Sequence, residues 1–96
     1  MKFYIETQYL ENYGDCDLPY WKFKGGETYA VSGFERIQDA VAWLHVHLEP
    51  DGYNSEFPVK WFETYEEWEA HLPKDKEYAD FLKSCVREIK NENKLT

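Results

Sequence analysis

The residues with most chemical reach in this chain are its carboxylates, a close histidine pair, tyrosines interleaved with lysines, and two thiols. His45 and His47 come nearest to a metal pair. On a helix they are separated by about 200° and cannot both face one ion, whereas on a strand they could. The apolar spacing around them is helical, so both are expected at the edges of an apolar stripe, and no metal site is expected. The sequence has no phosphate-cradling glycine loop, dinucleotide fingerprint, nucleophile elbow or zinc-ligand spacing. Glycosidase-type chemistry needs two carboxyls fixed across a cleft. A chain of 96 residues has little material for a deep one. No catalytic residue and no cofactor is therefore expected. Cys16 and Cys85 allow one bridge at most, and two reduced thiols are the expectation.

Charge is the stronger signal. Between Glu63 and Asp80 stand Glu63, Glu66, Glu67, Glu69, Asp75, Glu77 and Asp80, offset by Lys74 and Lys76 alone, so this window carries −5 of the formal −8. Part of it serves local structure: Glu66 and Glu67 suit a helix start, and Asp80 can pair with Lys76 or Lys83. The sharper reading is a negative face of Glu63, Glu66, Glu67, Glu69, Asp75 and Glu77. Such a face docks on a basic protein surface and takes the place of nucleic acid there. Trp43 and Val46 lie off the inward stripe of their helix and form a candidate interface, for a partner or for a second copy of the chain. The plainer alternative is a helix covered on two sides. A competing ligand face gathers Tyr4, Tyr20, Lys22 and Lys24 on the outward side of a sheet, where rings and lysines suit single-stranded nucleic acid or a nucleotide. Glu6 on that face opposes it.

The elements that position these residues follow from periodicity. Alternation over residues 2–10 sets Phe3, Ile5, Thr7 and Tyr9 against Tyr4, Glu6 and Gln8, the pattern of a half-buried strand. Residues 11–19 carry turn chemistry. Residues 20–24 read as a second strand with Trp21 and Phe23 inward, Gly25-Gly26 as a tight turn, and residues 27–31 as a third strand, together an antiparallel meander. Ser32-Gly33-Phe34-Glu35 matches a capping box ahead of a helix with Ile37, Ala40, Val41, Leu44 and Leu48 inward. Pro50, Asp51 and Gly52 end it. A loop through Ser55 and Pro58 leads to a short strand at 59–63. Thr64 to Glu67 is a second capping box, opening a short helix with Tyr65, Trp68 and Leu72 inward. Tyr78, Phe81, Leu82, Cys85, Val86 and Ile89 predict a last helix over 78–89, before a frayed tail at 91–96. The expected fold is α+β: an antiparallel sheet of three to four strands with three helices mainly on one face, in a single domain spanning 1–96. Phe3, Ile5, Trp21, Leu44, Phe81 and Leu82 are expected to share its core.

Composition sets the outer limits. With 43% hydrophobic and 19% aromatic residues, the chain can build a core without disulfide or metal staples. Nineteen acidic against eleven basic residues repel duplex phosphate and anionic lipid. No apolar run approaches a membrane span and no signal-peptide pattern opens the chain, so no membrane association is expected. The run Glu6-Thr7-Gln8-Tyr9-Leu10-Glu11-Asn12-Tyr13-Gly14, followed by Tyr20-Trp21-Lys22-Phe23-Lys24-Gly25-Gly26 and Tyr29, resembles small uncharacterised accessory proteins of tailed bacteriophages. The likeness covers about the first third of the chain. The resemblance implies a virus-encoded protein in the bacterial host cytoplasm, of a kind that binds host or defence proteins. The functional expectation is thus a non-enzymatic accessory protein that inhibits or redirects a host protein with a basic surface. The alternative is a binder of single-stranded nucleic acid or a nucleotide.

Overall fold

The alternating segment near the start of the chain is the longest strand, and the other strands are laid against it. The computed structural model describes residues 1–14, 17–18, 20–48 and 54–91. The elements run β1 (Lys2–Asn12), β2 (Trp21–Lys24), β3 (Thr28–Ser32), α1 (Ile37–His47), β4 (Asn54–Phe62), α2 (Tyr65–His71), α3 (Lys76–Ser84) and β5 (Arg87–Lys90). Cys16, the residues Pro50, Asp51 and Gly52 expected to end the helix, and residues 92–96 lie outside the described residues.

β2 and β3 share one lane. β2 pairs antiparallel with residues 9–12 of β1, and β3 pairs antiparallel with residues 2–6. The chain therefore does not reverse at Gly25-Gly26, and the expected meander gives way to one long interrupted strand. Gly26 is required for close approach rather than for turning: a Cβ there would stand 1.6 Å from the Thr7 carbonyl oxygen. β4 covers the other side of β1, and β5 adds to β3 in parallel. The sheet is mixed, where an antiparallel one was expected.

Helices cover both faces, which also corrects the expected one-sided layer. β3 and β4 lie in lanes on opposite sides of β1, so the connection through α1 must cross a face. It crosses the odd-numbered side of β1. There Phe3, Ile5, Tyr29, Val31, Ile37, Ala40 and Leu44 form the core, with Ile89 packed against it. The return from β4 to β5, at the opposite edge, crosses the even-numbered side through α2 and α3. Trp68, fully buried, stacks there on Tyr4 with ring centroids 5.2 Å apart.

Local chemistry explains the element ends. Thr64 caps α2 by accepting from the Glu67 amide at 3.1 Å, as its capping box predicts. The Ser32–Glu35 box is not used: Ser32 closes β3, Gly33 turns at φ +94°, and Arg36 is the N-cap of α1 without a side-chain bond. β4 begins at Asn54 and takes in the expected loop through Ser55 and Pro58. The last helix stops at Ser84, and Ile89 belongs to a strand opposite Val31. One helical stripe could not serve both ends of that segment, because α3 lies on the even face and Ile89 on the odd one. Phe81, expected in the core, is 60% exposed. Leu82 is half-buried on the even face, and the side chain of Trp21 lies outside the described part.

Two pairs of substitutions test this packing by chemical denaturation. Gly26→Ala should destabilise by about 2–4 kcal/mol or abolish folding, because backbone must move, while Gly25→Ala, whose Cβ would meet nothing within 4 Å, should stay within about 0.5 kcal/mol. Leu44→Ala should cost about 2–5 kcal/mol, whereas Phe81→Ala should cost less than about 1 kcal/mol.

Candidate functional site

β1 loses register with both neighbours at one place. On one side Gly25, Gly26 and Glu27 oppose only Thr7 and Gln8; on the other, the pairing steps from Glu6↔Lys60 to Thr7↔Pro58 and leaves Val59 extra. Bulges bend strands and re-aim side chains, and two facing each other across one strand concentrate that effect. Thr7 sits between them and is 4% exposed. Its amide donates to the Glu27 carbonyl at 2.8 Å, and its hydroxyl accepts from the Glu27 amide at 3.2 Å. The same hydroxyl donates to Glu56 Oε2 at 2.6 Å.

A polar cluster grows from Thr7 on the α1 face. The Tyr29 hydroxyl lies 2.9 Å from Glu27 Oε2 and 2.9 Å from Glu56 Oε2. One phenolic proton serves two carboxylates, so it binds one at a time. Arg87 on β5 reaches Glu27 Oε1 at 3.1 Å. Burial, and then the two glutamates, push the Tyr29 pKa far above its ordinary value. Tyr9 is pushed up by burial and by Glu56 and Glu27. These phenols hold their protons, and the arrangement ties β1, the β2–β3 lane, β4 and β5 together.

The even face carries a second chain of contacts. Trp68 Nε1 donates to Glu6 Oε2 at 3.1 Å, and His71 Nε2 lies 3.2 Å from Glu6 Oε1. Lys60 Nζ stands 3.3 Å from His71 Nδ1. If the lysine donates to Nδ1, the histidine carries its proton on Nε2 and gives it to Glu6. Beside this run, Tyr4, Tyr65, Trp68, Lys83, Val86 and Glu88 border an open hollow of about 340 Å³. Lys2 and Glu88 form an ion pair near its rim.

The expected acidic face is divided by the structure. Glu69 is bound to Lys83 at 2.7 Å, which holds its carboxyl below the usual range, and it also accepts from Tyr65. Asp75 caps α3 through the amides of Glu77 and Tyr78. Glu63, Glu66, Glu67 and Glu77 are exposed. Trp43 is half-buried, with its ring 5.5 Å from Phe34 and stacked on His47 at 4.8 Å; Val46 is 76% exposed. His45 is exposed in the last turn of α1.

The alternative ligand face is not assembled. Tyr4 lies under α2 between Trp68 and Tyr65. Lys22 and Lys24 pair with Glu11 and Tyr9, odd positions of β1, whereas Tyr4 is an even one. The side chain of Lys24 lies outside the described part, and Tyr20 is exposed ahead of β2. The bulge between β2 and β3 shifts the alternation that the sequence reading carried straight through. Among the described residues no three His, Cys, Asp or Glu side chains are grouped to hold a metal ion. No helix among them is long and apolar enough to cross a membrane.

Sequence reasoning missed the outward face of α3. Tyr78 is 51% exposed, and Phe81 and Cys85 share its spacing and its exposure. Their stripe is real, but its inward members are Ala79, Leu82 and Val86, one position on. It also missed the Thr7 cluster, although a threonine in an otherwise apolar inward series is a signal for a buried hydrogen bond. Compared with known proteins, the chain matches no family model, no curated protein and no solved structure.

The raised Tyr29 pKa fixes the sign of an alkaline effect. The folded state keeps this proton above the ordinary tyrosine value of about 10, where the unfolded chain releases it. The associated stability is complete below that pH and is lost as pH rises past it. Urea midpoints measured across this range should fall with pH, and Tyr29→Phe should flatten the fall. An unchanged alkaline limb in Tyr29→Phe would contradict the buried-proton assignment.

Proposed function

We propose that this chain is a non-enzymatic binding protein that docks, through α3 and its acidic surroundings, on a basic surface of another protein. One observation carries the reading: Tyr78 and Phe81, 51% and 60% exposed, stand side by side on a helix whose Ala79 is buried on the other side. Exposed neighbouring aromatics are what an interface uses as anchors. Glu77 and Asp80 flank them on the same helix and are exposed. Glu66 and Glu67 on α2 add unburied negative charge, and the formal net charge of −8 favours fast encounter with cations over phosphate. With Glu69 and Asp75 engaged by partners within the chain, the remaining carboxylates steer and the rings hold.

The resemblance of residues 6–14 and 20–29 to tailed-phage accessory proteins supports a partner in a bacterial host, which docking would inhibit or redirect. Mimicry of nucleic acid is the narrower form of this reading and applies where the occupied surface is a phosphate-binding one. Single-stranded nucleic acid is the less supported partner, since Tyr4 is roofed by α2 and the lysines are not gathered beside it.

Capture from bacterial extract with the parent and two variants tests the proposal. Tyr78→Ser/Phe81→Ser should lose a basic partner that the parent retains, with the melting temperature nearly unchanged. Glu66→Lys/Glu67→Lys should slow its association at low salt, and the difference should shrink as salt rises. Retention of the same partner at the same rate by both variants would sink the reading. Stronger binding of nucleic acid by the charge-reversed variant, with no protein partner lost, would favour the alternative.

A further inference from the structure

The double bulge that buries Thr7 also opens the opposite, even face. Two adjoining hollows of about 210 Å³ and 270 Å³ lie there and share Gly26, Glu27, Thr28 and Leu82. The first is walled by Val59, the residue left over in β4, and floored by Gly25 and Gly26, the residues left over opposite β1. The second ends on Phe81 and Cys85 of α3. α2 stops short of this stretch, since its buried Trp68 lies over Tyr4 and Glu6.

The size and lining restrict the occupant. Each hollow is smaller than an ordinary cavity for a free small molecule, roughly 300–1,000 Å³, but large enough for a side chain. Val59, Leu82 and Phe81 supply apolar walls, with Val59 42% and Phe81 60% exposed. The main chain at Gly25 is bare, with nothing within 4 Å of where a Cβ would point. Charge selects the flanks. Glu77 and Asp80 stand exposed beside Phe81 on α3. Glu6, already engaged by Trp68 and His71, adds negative charge at the border of the first hollow. The carboxylate of Glu27 turns to Tyr29 and Arg87 on the other face. Of the cations on this face, Lys60 contacts His71 and Lys83 is bound to Glu69.

We infer that this recess seats a linear segment of the partner protein, with bulky apolar side chains in the hollows and Lys or Arg on either side. This rests on the docking function proposed above and names the element of the partner that docks. Linear motifs of this form gain affinity from one or two buried anchors and take specificity from their flanks. The two glycines differ in role. Gly26 lies too close to the Thr7 carbonyl to carry a side chain and belongs to the fold, whereas Gly25 leaves open the space the segment enters.

Selection from a random library of 12-residue peptides, with the protein immobilised, tests the inference. The enriched peptides should carry a bulky apolar residue flanked by Lys or Arg. A synthetic copy of one should bind Gly25→Tyr at least about tenfold more weakly than the parent, because the new ring occupies the floor. It should also slow alkylation of Cys85, read on the proteolytic fragment that contains it. Gly25→Tyr should melt with the parent, since its side chain enters open space, and Val46→Ser should bind as the parent does. Enrichment of no peptide, of peptides without that pattern, or of peptides that bind Gly25→Tyr equally well would overturn the recess. The broader reading fails separately: Gly25→Tyr that still captures the basic host partner, in a manner sensitive to Tyr78→Ser/Phe81→Ser, leaves docking intact and removes only the recess.

Discussion

One hydroxyl holds the sheet together where its ladder fails. At Thr7 both neighbours of β1 carry an extra residue, and a sheet cannot simply leave the displaced main-chain groups dry and unpaired. The Thr7 side chain takes the Glu27 amide, and its own proton goes to Glu56. Glu56 and Glu27 are then available to Tyr29, and Glu27 to Arg87. Every lane of the sheet thereby contributes to one polar knot. The bend that the knot permits is the same bend that leaves the even face uncovered between α3 and Gly25. Stability on one side and vacancy on the other have a single geometric origin.

The two crossings of the chain decide what each aromatic residue does. The first crossing buries Tyr29 and half-buries Trp43 beside α1. The second brings Trp68 onto Tyr4 and ties the indole to Glu6. The connection between α2 and β5 must then reach the far edge, and along it α3 turns Ala79 and Leu82 away from solvent. A small residue and a leucine cover one narrow strip. The larger rings of Tyr78 and Phe81 are left facing water, on the side of α3 away from Ala79. Their exposure follows from topology, not from a shortage of core.

Much of this was legible in the sequence. The alternation of residues 2–10 located β1, the stripe through Ile37 and Leu44 located α1, and Thr64 with Glu67 located the start of α2. What remained hidden was long-range. Gly25-Gly26 carries the chemistry of a tight turn, and only Thr7, eighteen residues or more away, shows that the pair serves close approach instead. A slip of register moves every later side chain to the other face, so the grouping of Tyr4 with Lys22 and Lys24 failed at that point. The stripe from Tyr78 to Ile89 has genuine helical spacing, but the open edge of β3 needs a partner. Parallel pairing of Val31 with Ile89 outweighs the further turn or so of helix that residues 85–89 would add. Glu69 and Asp75 were legible as acidic and not as engaged, because Lys83 and the amides of α3 become their partners only in the fold.

The position of β5 has a bearing on local unfolding. It is four residues long, it lies at an edge, and Ile89 is its one apolar contribution to the core. Its side-chain ties are Arg87 to Glu27 and Lys2 to Glu88, in which Arg87, Lys2 and Glu88 are all largely exposed. Exposed pairs of that type hold little free energy. The hydrogen bond from the Asn91 amide to the Ser32 carbonyl, over Gly33, closes the far end. The strand is therefore the natural unit of sub-global opening, exchanging its amides with solvent ahead of β1 and β4. When it lifts, the outer row of β3 main-chain groups becomes an unpaired edge, a template on which another extended chain can add. These last described residues thus guard the sheet against aberrant strand addition while contributing little to its bulk.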